Sequence, residues 1–263
     1  MSPCGSRADS ARPRIAVFRP DDGRLDAARD LLESLGADPV PDPMLAVEPT
    51  GARPRTDAEY AVFTSKTGVE LAAGERPDGP DGSAGSGERW DQGEATLCAI
   101  GDTTAAALRE AGYTVDIVPE EFSSSGLVEA LGDAVDGVRV EVARSDHGSA
   151  VLLDGLETAG AYVHETVLYR LTRPDGSGVS AEHAAEGALD GAVFTSSLTV
   201  RNFLSAAADR GVREDALAGL AEATVGVIGD PTADTARREG IDVDVVPERA
   251  DFEALAEAVV DEA

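Results

Sequence analysis

The chain has 263 residues, enough for two domains that each bury a core, and only 4% of it is aromatic, so those cores have to be built mainly from Ala, Val and Leu. Fifty acidic residues against twenty-two basic ones leave a formal net charge of −28, which excludes nucleic acid and anionic membrane as partners, since both need basic patches. No apolar run approaches the roughly 20 residues of a membrane span, and the N-terminus has no apolar signal core, so a cytoplasmic protein without a membrane partner is expected.

In chain order, residues 1–13 are polar and aperiodic, and a disordered tail is expected there. A strand is predicted at Ile15–Phe18, a helix over Leu25–Leu35 stopped by Gly36, and an extended piece around Val40. The segment from Pro43 to Pro49 follows, then an apolar strand ending in Phe63. After it comes ERPDGPDGSAGSGERWDQGE (75–94), rich in Gly and Asp, which reads as a flexible surface insertion. Strand-like and helical patterns keep alternating to the C-terminus, the signature of βαβ units and a mostly parallel sheet.

The pattern is written twice. RIAVFRPDDG (14–23) matches RVEVARSDHG (139–148), AVFTSKTGVE (61–70) matches AVFTSSLTVR (192–201), and AIGDTTAAALREAGYTVDIVPE (99–120) matches VIGDPTADTARREGIDVDVVPE (227–248). The matches share one order at a displacement of roughly 125 to 131 residues, so an internal duplication of a βα-rich unit is expected.

Both FTS copies lie between a strand and a helix, placing Thr64, Ser65, Thr195, Ser196 and Ser197 at strand-to-helix turns. Both IGD copies do the same, with Thr103, Thr104 and Thr232 where a helix cap would stand and Pro231 in a first turn. Such turns offer backbone N–H groups and a positive dipole end beyond the strand ends, where open α/β sheets bind ligands. Arg19 and Arg144 hold equivalent places after the first strand of each repeat and can pair with carboxylates, and Lys66, the chain's single lysine, follows the first FTS. Together these point to a polyanion held in a cleft between two facing domains, met by amides and hydroxyls.

Other chemistries lack support. His147, His164 and His183 have no ligand spacing with Cys4 or Cys98, which argues against a metal site, and two such distant cysteines make no disulfide framework. Cys98, in an apolar strand pattern, reads as a small buried hydrophobe. GxGxxG after a first strand, GxxxxGK[ST] and GxSxG are all missing. From the residues alone, the reading stops at a two-domain, cofactor-free binder of a polyanion.

At these residues the chain resembles the uroporphyrinogen-III synthase family: VFTS before a helix, IGDTTAAALREAG, Tyr169 in ETVLYR, and IGDPTADTARREG followed by VPE, over about residues 14–263. The resemblance implies two similar α/β domains joined by a two-stranded linker. On this sequence that gives 14–42 with 175–263 as one discontinuous domain, 50–167 as the other, and 43–49 and 168–174 as linker strands. It also implies a cofactor-free lyase that closes hydroxymethylbilane, a linear tetrapyrrole bearing carboxylates, into uroporphyrinogen III. Water is lost to give an azafulvene, and ring D is inverted through a spiro intermediate. Tyr169 matches the family's cleft tyrosine and becomes the candidate acid for hydroxyl departure, since a phenol can donate a hydrogen bond at neutral pH. GDPT and FTSKT depart from the family pattern at the second IGD and first FTS turns.

A monomer is expected. The acidic excess with one lysine reads as adaptation to a salty cytoplasm, where molar salt shortens the Debye length to about 3 Å. A binding protein without chemistry remains the alternative, and a two-domain glycosyltransferase a more distant one.

Overall fold

The computed structural model describes residues 12–21, 23–75 and 87–263. Its strands are β1 (Arg14–Val17), β2 (Asp38–Pro41), β3 (Ala46–Pro49), β4 (Tyr60–Phe63), β5 (Thr96–Ala99), β6 (Arg139–Ser145), β7 (Tyr162–Thr172), β8 (Gly191–Phe194) and β9 (Thr224–Val227). The helices are α1 (Gly23–Ser34), α2 (Lys66–Ala72), α3 (Asp102–Glu110), α4 (Ser124–Leu131), α5 (Ala150–Thr158), α6 (Val179–Ala185), α7 (Ser197–Asp209), α8 (Arg213–Leu220), α9 (Asp230–Arg238) and α10 (Phe252–Glu262). The chain divides into two compact units, one made of the chain up to Ala46 with Thr172–Ala263, the other of Val47–Leu171.

The first unit carries a four-stranded sheet in the order β2-β1-β8-β9, every pair parallel. Its short strands are almost continuous apolar runs because helices cover both faces. Phe18, Phe194 and Phe203 pack together on one face, while Leu25, Ala28 and Leu32 of α1 meet Leu255 and Val259 of α10 on the other. Helix α1 ends where expected, before Gly36 at φ +88°, a conformation that glycine adopts without a Cβ clash.

In the second unit the order is β3-β7-β6-β4-β5, and β7, β6, β4 and β5 run parallel. Setting β3 aside, β7-β6-β4-β5 repeats the order of β2-β1-β8-β9. Details repeat too: Leu97 N–H donates to Asp116 Oδ2 and Val225 N–H to Asp244 Oδ2, both at 2.8 Å. Buried Cys98 in β5 has its thiol pushed up to about 12 by desolvation, with Asp116 adding to it, so it behaves as the small hydrophobe expected.

One expectation is revised. Of the predicted 75–94 insertion, 76–86 lie outside the described residues, as do residues 1–11 of the predicted tail, whereas within 87–94 Trp90 is buried while Glu88, Arg89, Asp91, Gly93 and Glu94 are exposed. Trp90 is 3% exposed against Phe63 and Tyr113, and its carbonyl accepts from the Tyr113 hydroxyl at 2.9 Å. One large aromatic outweighs the polar composition around it. β3 and the end of β7, both in the five-stranded sheet, overlap the segments 43–49 and 168–174.

In the first unit α8 lies close on α6. A Cβ on Gly219 would come 1.7 Å from the Ala184 carbonyl oxygen, which is backbone and cannot swing aside. Helix propensity alone would make Gly219→Ala stabilising by about 1 kcal/mol. Overpacking wins, and a net loss of about 2 kcal/mol is expected in denaturant unfolding.

Candidate functional site

In the second unit the first FTS forms the turn from β4 into α2. Ser65 is the N-cap of α2, and its Oγ accepts from Gly68 N–H at 3.0 Å. Tyr169, near the end of β7 and 6% exposed, donates its hydroxyl to the same Oγ at 3.0 Å. Ser65 Oγ thus accepts twice, which leaves its own hydrogen for an outward donor role. Gly68 keeps this arrangement tight: a Cβ there would sit 3.1 Å from Ser65 Oγ and 3.4 Å from Leu168 Cδ1. Thr64 is half-buried, and exposed Lys66 pairs with Glu70 one helical turn on, at 3.4 Å.

Asp146 ties the end of β7 to the loop after β6. Its N–H donates to the Tyr169 carbonyl at 3.2 Å, and its Oδ1 accepts from Leu171 N–H at 3.0 Å with His147 Nδ1 at 2.9 Å. Burial raises this carboxyl's pKa, but the His147 and Leu171 hydrogen bonds outweigh that and hold it below the ordinary value. A depressed pKa means stabilisation present above the unfolded-state pKa and lost as pH falls through the folded one. Thermal midpoints below about pH 4 are therefore expected to fall more steeply for wild type than for Asp146→Asn; identical acid limbs would show that the tie contributes nothing. Sequence reasoning saw Asp146 only as the repeat of Asp21, and that repetition was the signal available.

The second FTS, in the first unit, turns β8 into α7. Ser196 is the N-cap and forms a capping box with Thr199, beside a half-buried Thr195. Ser197 bridges to the other turn of its unit: its Oγ donates to the Pro231 carbonyl at 3.0 Å and accepts from Thr235 Oγ1 at 2.9 Å.

The IGD turns differ from expectation. The N-caps of α3 and α9 are Gly101 and Gly229, which supply no side-chain cap. Thr103, Thr104 and Thr232 instead lie inside the first turns, Thr103 exposed, Thr104 and Thr232 buried. A glycine cap has no side chain to accept from the first-turn amides, and Asp102 and Asp230 stand in the same turns. Phe122, itself exposed, packs over Gly101, where a Cβ would meet its ring at 3.1 Å.

The two repeat-equivalent arginines part ways. Arg144 is buried, its side chain 7% exposed, with Nε 2.6 Å from Glu165 Oε1 and Nη1 2.6 Å from the Ser149 carbonyl. Its charge is spent inside the unit, because β7 brings Glu165 alongside β6, which the sequence alone could not tell. Arg19 is half-buried, with its guanidinium 4.7 Å from the centre of the Phe252 ring.

Comparison with known proteins agrees with this architecture. The family model described as uroporphyrinogen-III synthase HemD matches residues 26–257. A protein of Methanothermobacter thermautotrophicus is 38% identical over 158 residues, covering 58% of this chain and 61% of that protein. Uroporphyrinogen-III synthase of Synechococcus elongatus is 33% identical over 141 residues, covering 52% and 53%. The matched stretches thus span between half and two thirds of these relatives. Among solved structures, a mutant uroporphyrinogen III synthase of Thermus thermophilus has a TM-score of 0.63 at 20% identity, covering 94% of this chain and 96% of that one. The synthase structure from Helicobacter pylori has a TM-score of 0.62 at 15% identity, with 96% and 100% covered, and both likenesses speak to the fold. With a family model matched over most of its length, the chain belongs to the uroporphyrinogen-III synthase family.

Proposed function

We propose that the chain cyclises hydroxymethylbilane to uroporphyrinogen III, with loss of water and inversion of ring D. The observation that carries this reading is the Tyr169–Ser65 hydrogen bond at the strand ends of the second unit. Tyr169 is nearly buried, so it acts through Ser65: the serine hydroxyl gives its proton to the departing hydroxyl of the bilane, and the phenol replaces it. Water leaves, the azafulvene forms, and ring carbon attacks it. The proton released when the macrocycle recloses returns to the phenolate, so the pair ends as it began. Thr64, Thr103, Thr195, Ser196, Arg19, Lys66 and the first-turn amides around Thr104 and Thr232 are the proposed donors to substrate carboxylates, while Ser197, its hydrogen given to the Pro231 carbonyl, positions the turns of the first unit and buried Arg144 holds β6 against β7.

The shared strand order of the two sheets supports an internal duplication, and 43–49 with 168–174 are read as the chain crossings between units. The protein is taken to act as a cytoplasmic monomer in high salt, without metal, nucleotide or flavin.

The test is a coupled assay from porphobilinogen with the preceding deaminase, separating isomers I and III after oxidation. A shift from isomer I to isomer III is expected, unaffected by chelators. Isomer I alone, with the protein folded, would refute the assignment and favour a binding protein.

A further inference from the structure

At the opposite end of the same sheet from Ser65, around the start of β6 and β7, lies a cavity of about 650 Å³, in the size range of small-molecule sites. Tyr162 on its wall and Tyr169 are seven residues apart on one strand, roughly 23 Å. Its floor carries an anomaly. Glu141, in the interior of β6, has a completely buried side chain: Oε2 lies 2.7 Å from His164 Nδ1, its register partner on β7, and Oε1 has no hydrogen-bond partner among the described residues. A buried carboxylate oxygen without a donor is unfavourable, and an apolar residue would suit a parallel strand better, so the fold itself gives no reason to keep it.

The surroundings select the missing donor. Asp57 and Glu157 add carboxylates to the wall. Arg55 and Arg139 also border it, but Arg139 is engaged by Glu59 at 3.3 Å and Asp57 at 3.4 Å, so the cavity keeps an acidic balance. His164, 39% exposed in its side chain, and the Tyr162 ring, 69% exposed, offer flat surfaces. An anion is disfavoured by Glu141, and among the described residues no group of three His, Cys, Asp or Glu is placed to hold a metal ion.

We propose that this cavity is a second binding site, for a small organic cation with N–H donors on a flat body, which donates to Glu141 Oε1 and lies against the Tyr162 ring. Water does not touch the carboxylate as it stands, so the ligand reaches it with the side-chain rotamer adjustment common on binding.

The test titrates benzamidine, as benzamidinium, into ¹⁵N-labelled full-length protein in about 1 M potassium chloride, where general attraction to an acidic surface is screened, with benzoate as the anionic control. Saturable amide shifts confined to 139–141 and 162–164 are expected. Affinity should fall roughly tenfold or more in Glu141→Leu and several-fold in Tyr162→Ala. Should Glu141→Leu fail to fold, Tyr162→Ala decides, because that ring is exposed; its isomer III formation should stay at the wild-type rate, which separates this site from the proposed reaction. Absence of saturable binding, benzoate binding as tightly, shifts centred on the strand-end turns, or unchanged affinity in Tyr162→Ala would each overturn the proposal.

Discussion

Tyr169→Phe is expected to lower turnover of hydroxymethylbilane by about 100-fold or more while leaving the thermal midpoint nearly unchanged. The ring packs beside Leu168 and over α2, and phenylalanine keeps that packing. What goes is one hydroxyl, whose hydrogen bond to Ser65 contributes about 1 kcal/mol to stability. Positioned proton donors contribute ~10²–10⁴ to rate, so the kinetic effect dominates. Ser65→Ala should lose comparable activity and, as an N-cap, about 1 kcal/mol of stability as well. Thr104→Ala and Thr232→Ala remove buried hydroxyls that lie behind the first-turn amides and leave those amides in place, so no more than about fivefold is expected from either. Wild-type turnover in Tyr169→Phe, read by initial rates of isomer III formation, would return this tyrosine to a packing role.

The thermal midpoint is expected to rise by on the order of 10 °C between about 0.1 M and 3 M potassium chloride, the shift that ~3–4 kcal/mol produces in a chain of this size. A net charge of −28 repels itself across the surface at low salt, where the Debye length is about 10 Å, and the repulsion fades as that length falls to about 3 Å. The ion pairs work in the opposite direction but weakly. Those of Arg139 with Glu59 and Asp57, and of Lys66 with Glu70, are exposed, and such pairs contribute little that salt could remove. A midpoint that stayed flat or fell, followed by circular dichroism, would dispose of the halophilic reading and leave the enzymatic one intact.

Helices and strands were legible because their signals are local. Leu25, Ala28 and Leu32 recur at helical spacing, IAV and AVF are continuous apolar runs, and Gly36 stops α1 at a positive φ. Ser65 and Ser196 could be placed as turn residues for the same reason, since an N-cap bonds only three residues ahead. The repeat is legible in the same way, because it is a property of residue order.

Partner choice was not legible, since it follows from which strands become neighbours. Arg19 and Arg144 are equivalent in sequence, yet β7 sets Glu165 beside Arg144 and draws that charge inward. Trp90 reads as part of a polar insertion, yet β4 and the segment around Tyr113 close over it. Tyr169 and Ser65 meet across 104 residues, and Glu141 reads in sequence as an ordinary charged residue. Burial, and with it the chemistry of each polar group, depends on contacts that residue order does not encode locally, so the elements, the order of the matching motifs and the family resemblance could be read from the sequence, while the partner of each side chain came only with the fold.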